Sequence, residues 1–438
     1  MKIENTLLFV AFVSDIAYPL LNWKLGLPEQ FRWVSQAAIL ILIIIGIFRS
    51  LRIETFPFEW LMLAGLLFFS SVQALTAGQS FWATVWGFYT WLRYPLLGLY
   101  AFTRPKRLLE FDQCIHSIVV FLVGLNLLIQ LAQFLGGEIP GDNLAGFWGP
   151  YGTSRMASFI CLALAIAFGN WIIKGFSKST LILVGMSILS SVLGETKIFF
   201  FIIALTGIPA ILLYSFKRNK FFSGILLSFI LAISILGFIQ LYDVIFNPQG
   251  GFLVYLRLDN LISYLSWSAD RPGGVIYIGR LAQFDYVWKQ ITQSPLTLWL
   301  GQGIGALETS NSLGISGISL LMGDFGVFGA NSLTGLIGDF GLIGISIVFI
   351  LFIKIALGLL FTRSNKNQEA LNMGLIIFIF TIPLWMFYMD IWTTPITMLI
   401  FWFSLGQSFR MVKDNENKEV PAHLLEKVNH GYSRVTFE

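Results

Sequence analysis

Apolar stretches long enough to cross a lipid bilayer recur along almost the whole chain, and they constrain its fold more than any other feature. A span needs about 20 predominantly apolar residues. Inside lipid every backbone N–H and C=O group must be satisfied within the protein, so the regular element is a helix. The 438 residues are 56% hydrophobic and 12% charged, whereas about a quarter of the residues of a soluble domain are charged. The sequence therefore predicts an all-α polytopic membrane protein and excludes an ordinary soluble domain.

The apolar runs predict about twelve transmembrane helices, and one large loop precedes the last three. The predicted spans are 6–22, 33–48, 58–77, 81–102, 113–135, 156–173, 179–195, 197–216, 221–242, 330–353, 370–389 and 391–409. They divide the chain into residues 1–242 with nine spans, a loop with short helices at 243–329, residues 330–409 with three spans, and a polar tail at 410–438. The first span is the weakest, because Asp15 and Pro19 interrupt it.

Basic clusters follow every second span, as Arg49 and Arg52 follow the second and Arg218 lies in the cluster after the eighth. Lysine and arginine are enriched on the cytoplasmic side of membrane proteins. The pattern therefore predicts that both termini are cytoplasmic and that the large loop lies outside. These clusters account for the net charge of +4, so we expect no nucleic-acid partner.

The cysteines and histidines give no indication of a metal centre. Cys114 and Cys161 lie in apolar runs, and His116 is far along the chain from His423 and His430. A disulfide framework or metal site requires a defined spacing of such residues. We therefore expect no metal and no cofactor.

Cations on the predicted outer side are the first candidates for a functional site. Arg155 lies at the mouth of the sixth span, Lys197 lies between the seventh and eighth spans, and Arg280 begins a helix-like stretch that runs to Trp288. Charges at membrane depth are costly and by default mark function. Together these cations are suited to a phosphate or diphosphate, for which arginine forms bidentate bonds.

Each of these residues also has a structural interpretation. Lys197 would be a hairpin tip that extends to water, Arg155 an interfacial anchor, and Arg280 part of the solvated face of a loop helix. Arg257 and Arg271 are further candidates within the loop. Arg93, inside the fourth span, is one more candidate, and its structural alternative is a side chain that extends to the inner membrane surface.

Two glycine-containing segments flank the end of the loop. A dinucleotide site is not expected at Gly301-Gln-Gly303-Ile-Gly305, because no strand–helix unit surrounds these residues. Their glycines instead predict a tight turn with close backbone approach. The next segment begins Ala330-Asn331 and continues to Asp339, which lies about two turns inside a span. We expect the Asp339 carboxylate to face a cavity or a cation.

These residues, together with the topology, resemble the O-antigen polymerase and O-antigen ligase superfamily of bacterial envelope glycosyltransferases. Thr196-Lys197 resembles the family's Ser-Arg turn between two mid-chain spans. Arg280, Trp288 and the stretch from Pro295 to Gly305 resemble its Arg, Trp and Pro-x-x-Gly-x-Gly pattern. Its His-Asn, Leu, Glu, Gly-x-x-Gly stretch is matched by Ala330-Asn331, Asp339, Gly341 and Gly344.

The resemblance implies a GT-C-like membrane enzyme of the bacterial inner membrane that acts at the periplasmic face. The reaction would be a metal-independent, inverting transfer of a glycan from undecaprenyl diphosphate to a hydroxyl of a second lipid-linked repeat unit. A chain-length regulator would be a further partner. Arg280 and Lys197 would stabilise the leaving diphosphate, with Arg155, Arg257, Arg271 and Asn331 in binding roles and Trp288 stacking on a sugar.

Two departures from the family pattern affect this interpretation. The family's arginine is Lys197 here, and the ligase histidine position is Ala330, which favours a polymerase over a ligase. Without that histidine the candidates for the general base are the carboxylates Asp339, Asp324, Glu195 and Glu308. The alternatives that stay open are a ligase acting on a lipid or protein acceptor and an anion or solute transporter.

Overall fold

Long helices cover the apolar runs that the sequence predicts as spans. The structure is a computed structural model, and the residues described are 2–52, 58–104, 111–139, 143–149, 152–175, 177–194, 199–217, 221–246, 257–266, 269–271, 275–277, 279–310, 314–317, 331–362 and 365–419. The helices before the loop are α1 (Lys2–Leu25), α2 (Arg32–Ser50), α3 (Phe58–Thr76), α4 (Phe81–Thr103), α5 (Phe111–Leu135), α6 (Thr153–Lys174), α7 (Lys178–Leu193), α8 (Phe199–Lys217) and α9 (Phe221–Phe246). Short 3₁₀ turns lie at Glu29–Phe31 and Gly146–Trp148.

The loop contains short helices, as predicted, and also two small β-ribbons that the sequence did not indicate. Its elements are α10 (Leu258–Ser266), β1 (Ala269–Arg271), β2 (Val275–Tyr277), α11 (Arg280–Ile291), α12 (Pro295–Leu300), β3 (Thr309–Ser310) and β4 (Ile315–Ser316). The pairs β1–β2 and β3–β4 are antiparallel. The chain then continues through α13 (Ser332–Phe361), α14 (Lys366–Tyr388) and α15 (Pro395–Glu419).

Seven of the described helices are long and apolar enough to cross a membrane by length and composition, namely α1, α2, α3, α5, α6, α13 and α14. This confirms the prediction of a helical, multi-pass membrane protein. The count of twelve spans, their orientation and the bacterial inner membrane stay predictions. Helix α1 continues through Asp15 and Pro19, and the Asp15 carboxylate accepts a hydrogen bond from the Ser35 hydroxyl of α2.

Two helices with little exposed surface, α6 and α14, form the centre of the bundle. Residues 156–167 of α6 and 370–379 of α14 are all buried. The two helices meet at glycines, because a Cβ on Gly374 would lie 2.8 Å from the Cα of Ile166, and one on Gly169 would lie 2.4 Å from the Gly374 nitrogen. Small residues allow such close approach of helix backbones in membranes.

The polar contacts at one end of the bundle join α1, α2 and α4. The Arg49 guanidinium donates to both Glu4 carboxylate oxygens at 2.6 and 2.9 Å. The Tyr100 hydroxyl donates to the same carboxylate at 2.9 Å, and Arg104 donates to the Asn5 side chain at 2.6 Å. The sequence predicts that this end faces the cytoplasm. The opposite end, where α14 leads into α15 beside the large loop, is called the loop end below.

We predict that Gly374→Ala lowers the apparent Tm of the detergent-solubilised protein, because the added methyl group forces α6 and α14 apart. Overpacking of this kind costs about 1–3 kcal/mol. Gly185 of α7 is the matched control, because a Cβ there would meet no atom within 4 Å. Gly185→Ala is expected to leave the Tm unchanged or to raise it, since alanine is favoured over glycine in helices by up to about 1 kcal/mol. Equal Tm values for the two variants would contradict the close crossing.

Candidate functional site

The turn formed by residues 389–394, between α14 and α15, is a point at which charged side chains from separate helices meet. Arg280, the first residue of α11, donates its Nε–H to the Tyr388 carbonyl at 2.6 Å. Its guanidinium carbon lies 4.1 Å from the centroid of the Tyr388 ring. From α4, Arg93 donates to the Thr393 carbonyl at 2.8 Å. Two arginines that are 187 positions apart in sequence are therefore held at the same turn.

Asp390 is the carboxylate of this turn. Its Oδ1 accepts from the Ser332 hydroxyl at 2.7 Å, and its Oδ2 accepts from the Thr393 hydroxyl. The same carboxylate interacts electrostatically with Arg155 of α6 and with Glu308 of the loop. Asp390 thus links the first turn of α13 to the charged groups around it.

Arg155 faces open space although it belongs to the most buried helix of the bundle. Its side chain is exposed, whereas every residue from Met156 to Ala167 is buried. Its electrostatic neighbours include Arg32, Arg93 and Asp390. Arg155 is therefore an exposed cation on an otherwise buried helix, beside the charged groups of the 389–394 turn.

Arg93 is buried within the bundle, so the interpretation that it extends to the inner membrane surface is wrong. Besides Thr393, it donates to the Gln36 side chain of α2 at 3.4 Å, and its guanidinium carbon lies 4.6 Å from the centroid of the Tyr94 ring. Arg32, Arg93, Arg155 and Arg280 together are called the arginine cluster below. Asp15, Asp390 and Glu308 lie among these guanidinium groups. Guanidinium groups suit an anion that carries several oxygens.

Among the described residues, the contacts of the Asp339 carboxylate are with hydrogen-bond donors and not with the expected cavity or cation, because the glycine-containing segment of the loop folds over it. Its Oδ2 accepts from the Trp91 indole at 2.9 Å and from the Gly305 N–H at 3.1 Å, and its Oδ1 accepts from the Ala306 N–H at 3.1 Å. Its backbone carbonyl accepts from the Ser70 hydroxyl at 2.9 Å. These bonds favour an anchoring role for Asp339 over proton transfer, and its predicted catalytic role stays a prediction.

Close backbone approach at glycines lets this segment enter the bundle, in agreement with the tight turn that the sequence predicts. Gly305 has a φ of +84°, and a Cβ there would lie 2.2 Å from the Ala83 carbonyl oxygen of α4. Gly341 interrupts α13 with a φ of +63° and a ψ of −161°. A Cβ on Gly341 would lie 2.5 Å from the Gly301 nitrogen. Neither position can carry a larger residue without movement of the backbone.

Glu308 follows this segment and lies beside the arginine cluster. Its side chain is partly exposed, accepts a hydrogen bond from Thr90 and interacts electrostatically with Arg93. Burial raises the pKa of Glu308 well above its ordinary value, and the charges of Asp390 and Asp339 act in the same direction. Strongly perturbed pKa values are common among residues of functional sites.

The contacts described for Asn331 and Trp288 are with groups outside the 389–394 turn. The Asn331 side chain caps α13 by accepting from the Thr334 N–H at 2.9 Å, and it also donates to Gln283 at 3.4 Å. Trp288 is exposed on α11 and stacks on Phe284 at a centroid distance of 5.9 Å. Arg257 is exposed just before α10, and Arg271 ends β1 opposite Val275. Lys197, Glu195, Asp324 and Ala330 lie outside the described residues.

Sequence reasoning missed Asp390 and did not place Arg93 and Arg32 in the site. The signal for Asp390 was present, because Asp390 is a lone carboxylate in a very short connection between two apolar runs. Within the described part of the chain, no group of three or more His, Cys, Asp or Glu residues has an arrangement that holds a metal ion.

Comparison with known proteins adds no family assignment. The chain matches no protein-family model, and no curated protein matches it.

We predict that Asp339→Asn lowers the Tm of the protein together with any activity. The amide nitrogen replaces an acceptor, which leaves a buried N–H donor of Trp91, Gly305 or Ala306 unsatisfied at a cost of about 1–3 kcal/mol. Asp285→Asn is the matched control, because Asp285 is exposed and pairs with Lys289 on the surface of α11. Its Tm should stay near that of the wild type. An Asp339→Asn protein with an unchanged Tm but no activity would instead support the catalytic role.

Proposed function

We propose that this protein is a membrane glycosyltransferase that polymerises undecaprenyl-diphosphate-linked oligosaccharide repeat units at the periplasmic face of the bacterial inner membrane. The observation that carries the proposal is the arginine cluster at the 389–394 turn, where Arg280 and Arg93 donate to backbone carbonyls. An anionic lipid would reach such a site from the membrane, and the exposed Arg155 provides a further cation.

The chemistry of glycosyl transfer from a lipid diphosphate requires charge stabilisation at the leaving group. Negative charge develops on the diphosphate as the bond between the anomeric carbon and the phosphate oxygen breaks. Preorganised cations next to that oxygen lower the barrier more than any other single contribution. Arg280 is preorganised by its bond to the Tyr388 carbonyl and by the stacking of its guanidinium on the Tyr388 ring. Lys197 stays a predicted second cation.

Aromatic and polar groups of the loop fit a glycan acceptor in this proposal. Trp288 presents an exposed ring on α11, and an exposed indole can stack on the apolar face of a sugar. Arg257 and Arg271 stay predicted binding residues in the loop, and Asn331 stays a predicted residue of the same role although its side chain caps α13. Any chain-length regulator would be a separate partner.

A ligase that transfers a finished glycan to a lipid or protein acceptor is the second candidate. Ala330 stands where the resemblance places the histidine of the ligases, and this difference favours the polymerase. The two reactions share the donor and the leaving group, so the arginine cluster supports both equally. Transport of an anion without covalent change is the third candidate.

The test is incubation of the purified protein in nanodiscs with an undecaprenyl-diphosphate-linked repeat unit, followed by gel separation of the products. A ladder without a second acceptor would support the polymerase. Consumption of the donor only after another acceptor is added would support the ligase. An intact donor under both conditions, in the presence of folded protein, would contradict both reactions and leave transport.

We predict that Arg155→Ala lowers the rate of polymer formation by about 10²–10³-fold, because one preorganised charge is lost at the leaving diphosphate. Arg155→Lys should retain part of the rate, because lysine keeps the charge but lacks the planar fork. Arg52→Ala, which removes an exposed arginine after α2, is the matched control and should behave as the wild type. An Arg155→Ala enzyme with an unchanged ladder would remove this residue from the site.

A further inference from the structure

The position of Glu308 raises the question of which group accepts the proton of the attacking hydroxyl. Glycosyl transfer needs a base within hydrogen-bond reach of the acceptor hydroxyl. Two of the described carboxylates near the arginine cluster already accept hydrogen bonds from several protein groups. Asp339 accepts from the Trp91 indole and from two backbone N–H groups, and Asp390 accepts from the Ser332 and Thr393 hydroxyls.

We propose that Glu308 is the general base that removes the proton from the acceptor hydroxyl, an inference that rests on the proposed function. Glu308 is partly exposed, whereas Asp339 is buried. It interacts with Arg93 and with Asp390, and Asp390 in turn interacts with Arg155. The base therefore lies beside the cations that would hold the leaving diphosphate.

The backbone around Glu308 is held on both sides. The Glu308 N–H donates to the Gly305 carbonyl at 3.2 Å, and its carbonyl accepts from the Gly317 N–H at 2.9 Å. The preceding segment is fixed by the Asp339 carboxylate through Gly305 and Ala306. Catalysis benefits when a reacting group is held in place before the substrate binds. Asp339 is thus a positioning residue, which acts through the segment that carries Glu308.

The proposed step balances in atoms and charge. The Glu308 carboxylate takes the hydroxyl proton as the acceptor oxygen forms its bond to the anomeric carbon. The bond between that carbon and the phosphate oxygen breaks on the opposite face, and its electron pair leaves with the lipid diphosphate. Glu308 then releases its proton to water, which restores the carboxylate for the next transfer.

The surroundings of Glu308 define the pH dependence that this role requires. Burial and the charges of Asp390 and Asp339 raise the pKa of Glu308, while Arg93 and the Thr90 hydroxyl lower it by a smaller amount. A base works only when ionised, so activity is lost as the pH falls through this raised pKa and is present above it. The pH profile of kcat/KM should therefore show an acidic limb at a higher pH than the pKa of about 4.3 of an ordinary glutamate.

The experiment compares Glu308→Gln with the wild type in nanodiscs, with the undecaprenyl-diphosphate-linked repeat unit as donor. We expect kcat to fall by about 10²–10⁴-fold and the acidic limb of the pH profile to disappear. Binding of sugar-free undecaprenyl diphosphate should be retained or strengthened, because a neutral side chain replaces a negative one beside the cations. A Glu308→Gln enzyme that keeps both its rate and the acidic limb would overturn the proposal.

Two further variants separate catalysis from folding. Glu308→Asp keeps the carboxylate, so it should retain part of the activity and the acidic limb of the pH profile. If the role of Glu308 were purely structural, both Glu308 variants would instead lose activity together with a lowered Tm. Asp285→Asn, an exposed carboxylate of α11, should match the wild type throughout. If the wild-type protein consumes no donor, the proposed glycosyltransferase activity itself is overturned, and this result is distinct from full activity in Glu308→Gln.

Discussion

The loop end of this protein depends on one buried carboxylate, Asp339. Backbone N–H groups inside a membrane bundle have no water to bind, so an irregular segment can enter only if protein groups satisfy it. Asp339 accepts from Gly305, Ala306 and the Trp91 indole, and in this way it replaces the hydrogen bonds that a helix would supply. The entry of the segment sets the position of Glu308. A single side chain of α13 thereby fixes the geometry of the loop segment that precedes α13 in the chain.

The arginine cluster uses a second general property of helices, the unpaired carbonyl groups at their C-terminal ends. The last four carbonyls of a helix have no partner within it and carry partial negative charge. Tyr388 ends α14, and its carbonyl receives the Nε–H of Arg280. The carbonyl of Thr393, which lies in the turn before α15 and not at a helix end, receives Arg93. The protein therefore holds its cations on backbone oxygens, which neutralise less of their charge than carboxylates would.

The helical fold was predictable from the sequence because the apolar runs are long enough to span a bilayer, and every predicted span coincides with a helix. The prediction of Arg155 and Arg280 as site residues rested on the cost of charge in lipid, and the structure brings both to the 389–394 turn. The role of Asp339 was not predictable, because its partners are backbone groups more than 30 positions away. Arg93 was misread for a related reason. Its distance from a span end suggested a surface position, and only the packing of α4 against α2 and α15 shows a buried guanidinium with partners.

The contacts between α1 and α2 have a consequence for the way the chain enters the bilayer during synthesis. Alone, α1 would carry Asp15 into lipid without a partner, which is unfavourable for an isolated segment, and Glu4 would lie unpaired near its N-terminal end. Ser35 of α2 donates to Asp15, and Arg49 of α2 donates to Glu4. The two helices therefore satisfy polar groups that would have no partner in either helix alone. Insertion of α1 and α2 as a joint hairpin follows from this pairing. A chain that lost Ser35 would therefore leave the Asp15 carboxylate without this partner during insertion.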